Sequence, residues 1–131
     1  MRMLLCGGEL DGVRVLARST VALMTRNHLP PDVRYGPYTQ VLRMNAPTPE
    51  MGQGFGLGFA VRTEAGKNPL PGSVGDFHWA GASGVYAWAD PAPGLVGVLM
   101  MRAPHERVRY RALVRQLVYQ ALSRTSRGEQ P

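Results

Sequence analysis

Lysine is almost missing from this chain: Lys67 stands alone against fourteen arginines. Cysteine is equally scarce, and a single residue, Cys6, excludes an internal disulfide. With no His or Cys beside it, Cys6 reads as a small buried hydrophobe. No apolar run approaches the roughly 20 residues that a membrane-spanning helix requires. The apolar start, Met1-Arg2-Met3-Leu4-Leu5-Cys6, is shorter than a signal-peptide core of about 7–15 residues. Without such a segment the default compartment is cytoplasmic, although a longer parent chain could be periplasmic or secreted. Charged residues make up only 18% of the chain, with a net charge of +6. Many of the arginines fall late, at Arg102, Arg107, Arg109, Arg111, Arg115, Arg124 and Arg127. Charge alone speaks to solubility and non-specific binding, so these are read as a solvated helix face. A small module using that helix on nucleic acid is the alternative.

Several chemistries are missing too. Gly52-Gln53-Gly54-Phe55-Gly56-Leu57-Gly58 lacks the third glycine of a dinucleotide fingerprint, and no strand precedes it. No lysine follows a glycine loop as a phosphate-binding loop needs. His28, His78 and His105 are far apart and have no Cys or carboxylate at ligand spacing, so neither metal nor cofactor is expected. Asp76, His78 and Ser83 could be written as a triad. Their crowding on one strand and turn argues against it, because alternate strand residues cannot converge on a shared proton.

What is present reads as an α+β fold. Met1 to Leu5 before Gly7-Gly8 looks like the last turn of a helix closed by glycine. A helix this short is marginal by itself, so the chain is expected to begin inside a larger unit. Asp11-Gly12 between apolar residues signals a tight turn. Ser19 then offers an N-cap for a helix from Thr20 to about Arg26, with Val21, Leu23 and Met24 inward. Residues 31 to about 53, rich in proline, read as a loop. Phe55, Leu57, Phe59 and Val61 alternate with small residues as in one strand, whose bare glycines imply close approach of another layer. Further strands are expected at about Val74–Trp79, Gly84–Ala89 and Leu95–Met101, the last apolar enough to be covered on both faces. Phe55, Phe59, Tyr86 and Trp88 are expected in the core or on the sheet face. From about His105 to Ser123, Tyr110, Val114, Leu117, Val118, Ala121 and Leu122 recur at helical steps, predicting an amphipathic helix laid on the sheet by that stripe. Residues 124–131 read as a disordered tail.

The segment from Gly75 to Pro91, Gly-Asp-Phe-His-Trp-Ala-Gly-Ala-Ser-Gly-Val-Tyr-Ala-Trp-Ala-Asp-Pro, resembles the C-terminal region of the β-lactamase-like serine hydrolases. These include class C β-lactamases, penicillin-binding-protein relatives and family VIII carboxylesterases. In that family a strand ends in a lysine-threonine-glycine, histidine-threonine-glycine or tryptophan-glycine-glycine triplet, and here Trp79, Ala80 and Gly81 correspond. Leu4 to Leu16, Ser19 to Thr25, Gly54 to Phe59, Leu95 to Met100 and the last helix resemble the neighbouring parts in the same order. The resemblance covers almost all of this chain but only about the last third of a complete family member.

The resemblance implies a small-molecule ester or amide as substrate, cleaved through an acyl-enzyme. Its chemistry needs a serine in S-x-x-K and a Tyr-x-Asn relay, and neither occurs here. It further implies that the triplet-bearing strand is an edge strand lining the substrate cleft. Trp79, Ala80 and Gly81 would then be substrate-binding, with the backbone N–H of Ala82 as one oxyanion-hole donor. Trp79 in place of lysine or histidine points away from classical β-lactam recognition and toward an esterase-like or uncharacterised substrate. The expected architecture is therefore a partial domain over residues 1–123: an antiparallel sheet of about four strands with a C-terminal helix on one face. It would be inactive alone and prone to self-association through an exposed sheet edge and apolar face.

Overall fold

In the computed structural model, residues 1–33, 36–37, 39 and 45–125 are described. Helix α1 (Arg2–Leu5) ends as its glycines require. Gly8 N–H reaches Met3 O at 2.8 Å and Gly7 N–H reaches Leu4 O at 3.0 Å, with both glycines at positive φ, a Schellman closure. A Cβ on Gly8 would lie 2.2 Å from Leu16 O, so only glycine fits where the chain doubles back. Strands β1 (Glu9–Leu10) and β2 (Val13–Arg14) then pair across Asp11-Gly12, at φ 50° and 81°, the geometry a two-residue hairpin turn demands.

Helix α2 (Arg18–Met24) begins two residues earlier than Ser19 predicted. Ala17 takes the cap position and the helix has no side-chain cap; Thr20 and Val21 N–H both turn to Ala17 O. Val21 is buried but Leu23 is exposed. Cys6, expected to be buried, is exposed as well, because it sits at the helix end where the chain turns outward.

The main sheet has five antiparallel strands in sequence order: β3 (Gln53–Phe55), β4 (Ala60–Arg62), β5 (Phe77–Ala80), β6 (Tyr86–Asp90) and β7 (Leu95–Leu99). The single strand expected over Phe55–Val61 is a hairpin instead. Gly56 N–H closes on Phe59 O at 2.7 Å around Gly58 at φ 92°, a turn that alternation of bulky and small residues concealed. The bare glycines do meet another layer. A Cβ on Gly54 would fall 2.1 Å from Asn27 Oδ1, and one on Gly56 would fall 2.0 Å from Met24 O, so the end of α2 lies directly on β3. A short 3₁₀ turn at Pro49–Met51 leads in, within the segment read as a loop.

The pleat sends alternate residues to two layers. Val61, Phe77 and Ala89 join Leu4 and Val21 in a buried core, with Met24, Phe59 and Val96 packed against it. On the opposite face Arg62, His78, Tyr86 and Trp88 lie under helix α3 (Arg107–Thr125). Strand β7 is not covered on both faces: Val98 is 58% exposed, since β7 is a sheet edge and neither layer reaches its outer end. The tail expected from residue 124 is helix to Thr125, and beyond that it lies outside the described residues.

Helix α3 follows its predicted stripe only in part: Val114 and Val118 are half-buried, but the innermost positions go to two arginines. Arg111 and Arg115 are buried, whereas Tyr110, Leu113, Leu117 and Leu122 are exposed. The arginines face inward because the sheet offers them anionic and carbonyl partners that solvent would otherwise have to replace.

Candidate functional site

Strand β5 carries Trp79 and Ala80 at its end. It is the central strand of the five, not the edge strand that the resemblance implied. Its end is nonetheless locally open, because β4 pairs only with Phe77 and His78. Trp79 and Ala80 run on beside β6 alone, opposite Ala87 and Tyr86. On that free margin the ring of Phe55 meets Trp79 edge-on, with centroids 5.0 Å apart. Trp79 remains 38% exposed. It and Gly81 border an open depression of about 310 Å³ with Val85, Ala87, Val98 and Met100, and no charged side chain lines it.

The chain then turns sharply. Gly84 N–H donates to Gly81 O at 3.1 Å and Gly81 N–H to Val85 O at 2.9 Å. Ala82 and Ser83 occupy the exposed tip, tethered by Ala103 N–H donating to Ser83 O at 2.9 Å. The N–H of Ala82 has no partner among the described residues. From beneath, Arg111 of α3 grips three carbonyls of this turn: Nη2 donates to Gly81 O and to Val85 O (3.0 Å), and Nε donates to Gly84 O (3.2 Å).

Deeper still lies an ionic cluster. Asp76 Oδ2 accepts from Arg62 Nε at 2.7 Å and from Arg115 Nη2 at 2.6 Å. Arg115 further donates to Tyr86 Oη at 2.6 Å and to Pro71 O at 2.7 Å, and its guanidinium lies over the Trp88 and Tyr119 rings. Tyr119 Oη donates to Asp90 Oδ2 at 2.6 Å. Burial would push the Asp76 carboxyl up, but His78, Arg115 and Arg62 together outweigh it and hold it below the usual range. Burial drives the His78 imidazole down and the Tyr86 hydroxyl up, so both are neutral near pH 7. Gly72 is required above this cluster, since a Cβ there would lie 2.1 Å from Asp76 Oδ2.

The triad written from Asp76, His78 and Ser83 does not assemble. His78 is wholly buried and Ser83 exposed. The His78 Nδ1 to Asp76 Oδ1 separation of 3.9 Å is too long for a hydrogen bond. Arg111 and Arg115, read from the sequence as part of a solvated helix face, are buried instead. Their signal was the i, i+4 spacing of Arg111, Arg115 and Tyr119, which aligns them on one helix face.

A family model described as Beta-lactamase matches residues 7–120. The chain belongs to the β-lactamase family. Protein Rv1367c of Mycobacterium tuberculosis strain H37Rv is 39% identical over 99 residues, 73% of this chain and 23% of its own length. The uncharacterized protein MT1414 of strain CDC 1551 / Oshkosh matches equally. Among solved structures, EstCE1, a hydrolase with promiscuous acyltransferase activity, superposes with a TM-score of 0.68 at 27% identity. That match covers 90% of this chain and 27% of EstCE1. A simvastatin synthase (LovD) mutant from Aspergillus terreus shares the fold at TM-score 0.61 and 21% identity, over 92% of this chain and 31% of its own. The chain thus spans about a quarter of the length of the relatives it matches. No comparison favours the nucleic-acid alternative, and two of the seven arginines on which it rested, Arg111 and Arg115, face inward.

Proposed function

We propose that the end of β5 and the turn after it form one wall of an acyl-transfer pocket that cleaves small-molecule esters or amides through an acyl-serine. In this reading Trp79, Ala80 and Gly81 bound the acyl group, and the Ala82 N–H is one donor to the oxyanion. The attacking serine, its lysine and the tyrosine relay come from polypeptide other than these 131 residues, so the chain is inactive by itself. The observation that carries the reading is that Ala82, whose N–H has no partner among the described residues, directly follows Gly81 on the rim of the apolar depression bounded by Trp79. Preorganised donors of this kind contribute roughly 3–4 kcal/mol to transition-state stabilisation. The apolar lining and the absence of a basic residue at position 79 favour an uncharged acyl group over a carboxylate-bearing one.

The test is a chimera in which residues 7–120 replace the matching segment of EstCE1. A folded chimera is expected to hydrolyse p-nitrophenyl butyrate and to take up a fluorophosphonate label, while the 131-residue chain alone does neither. A folded chimera that neither turns over the ester nor labels overturns the proposal.

A further inference from the structure

Arg111 is buried and held by backbone carbonyls alone; no carboxylate among the described residues pairs with it. One of those carbonyls, Gly81 O, belongs to the same peptide unit as the Ala82 N–H. Resting on the acyl-transfer reading above, we infer that Arg111 is a positioning residue that aims and polarises the Ala82 N–H toward the oxyanion.

The geometry follows from the planarity of the peptide. In a trans unit the carbonyl oxygen and the amide hydrogen point in opposite directions, and the described chain has no cis bond. Gly81 O is held inward by two donors, Arg111 Nη2 and the Gly84 N–H. The Ala82 N–H must therefore point outward, to the surface where Ala82 is exposed. Rotating that peptide would break both bonds at once. A cation on the oxygen also draws electron density through the amide and strengthens the N–H as a donor, as linked hydrogen bonds do. With no carboxylate paired to it among the described residues, Arg111 directs its charge at the carbonyls of this turn.

Base-catalysed hydrogen exchange reads this polarisation directly. Hydroxide removes the amide proton as water, and the negative charge left behind spreads onto Gly81 O, where Arg111 donates. In the full 131-residue chain, Ala82 is therefore expected to exchange faster than the unstructured-peptide rate, by on the order of tenfold. Arg111→Gln should slow it by a similar factor, and Arg111→Lys, which keeps the charge but not the fork, should recover part of the rate. A purely structural role predicts the opposite sign, since loosening the turn leaves an exposed amide unchanged or faster. Exchange of Ala82 slower than the peptide rate in the unaltered chain overturns the inference, as does an unchanged or faster rate in Arg111→Gln. Should Arg111→Gln fail to fold, the unaltered chain and Arg111→Lys decide the matter. Fast, Arg111-dependent exchange in a chain whose EstCE1 chimera is inert would sink the pocket reading and leave the role of Arg111 in the turn standing.

Discussion

Among the described residues Asp76 is the carboxylate shared by two buried guanidiniums, so Asp76→Ala is the most informative perturbation of the fold. Arg62 and Arg115 approach its Oδ2 at 2.7 and 2.6 Å, with side-chain exposures of 3% or less. Removing the anion leaves both cations in a dry site. Breaking a buried pair in this way costs about 3–5 kcal/mol, because the remaining charge goes uncompensated. A domain of this size has only about 5–15 kcal/mol in total. With a urea dependence of roughly 1–3 kcal/mol per molar, a loss of about 4 kcal/mol lowers the unfolding midpoint by roughly 2 M. Trp88 is the probe, since it is buried and stacked on Tyr86 at 5.3 Å. The electrostatic origin has its own control. Adding Arg115→Met to Asp76→Ala removes one orphaned cation, so the double variant should be less destabilised than the sum of the single changes by at least about 1 kcal/mol. A loss below about 1 kcal/mol for Asp76→Ala, or strict additivity in the double variant, would refute the reasoning.

Other expectations follow from the same face of the sheet. His78 is held below its ordinary value of 6.5, chiefly by burial, so the unfolded chain binds more protons than the folded one just below that pH. Its contribution to stability should be complete above about pH 6.5 and decline as pH falls below it, by up to about 1.4 kcal/mol per unit; His78→Phe should flatten urea midpoints measured between pH 6.5 and 5. Gly97→Ala sets a Cβ 2.1 Å from the Trp88 ring and should cost about 1–3 kcal/mol or more, visible as a lower thermal midpoint. The outward residues of α3, Leu113 and Leu117, are 42% and 54% exposed. Replacing both by Gln should reduce self-association in sedimentation velocity, and an unchanged profile would place association elsewhere, at the β7 edge.

The legible parts of this fold were those written in local chemistry. Asp11-Gly12 fixes its hairpin and Gly7-Gly8 closes α1, because positive φ is a property of the residues themselves. The strands around Phe77, Tyr86 and Leu95 were legible for a similar reason, each being bounded by glycine or proline. What pattern alone could not reveal was the inner face of α3. Apolar residues at helical spacing normally mark the buried side, and here Tyr110, Leu117 and Leu122 face outward while Arg111 and Arg115 are buried. That inversion depends on Asp76, Tyr86 and three turn carbonyls lying more than 20 residues away in sequence, so nothing in the helix itself announces it. The break at Gly56–Phe59 was hidden likewise, since a hairpin of small and bulky residues and a continuous strand share the same alternation.

The placement of these arginines ties the fold to the proposed site. Arg115 binds Asp76 just before β5, Tyr86 on β6 and Pro71 in the preceding loop, fixing the helix against the two strands that flank the turn. Arg111 stands one helical turn earlier, so the same docking delivers its guanidinium under Gly81, Gly84 and Val85. An apolar inner face could have stabilised the helix equally well, and buried ion pairs are weak sources of net stability. What an apolar face could not supply is direction. Hydrogen bonds to named carbonyls set the turn in one orientation, and a site that depends on where a single N–H points requires that more than it requires extra stability.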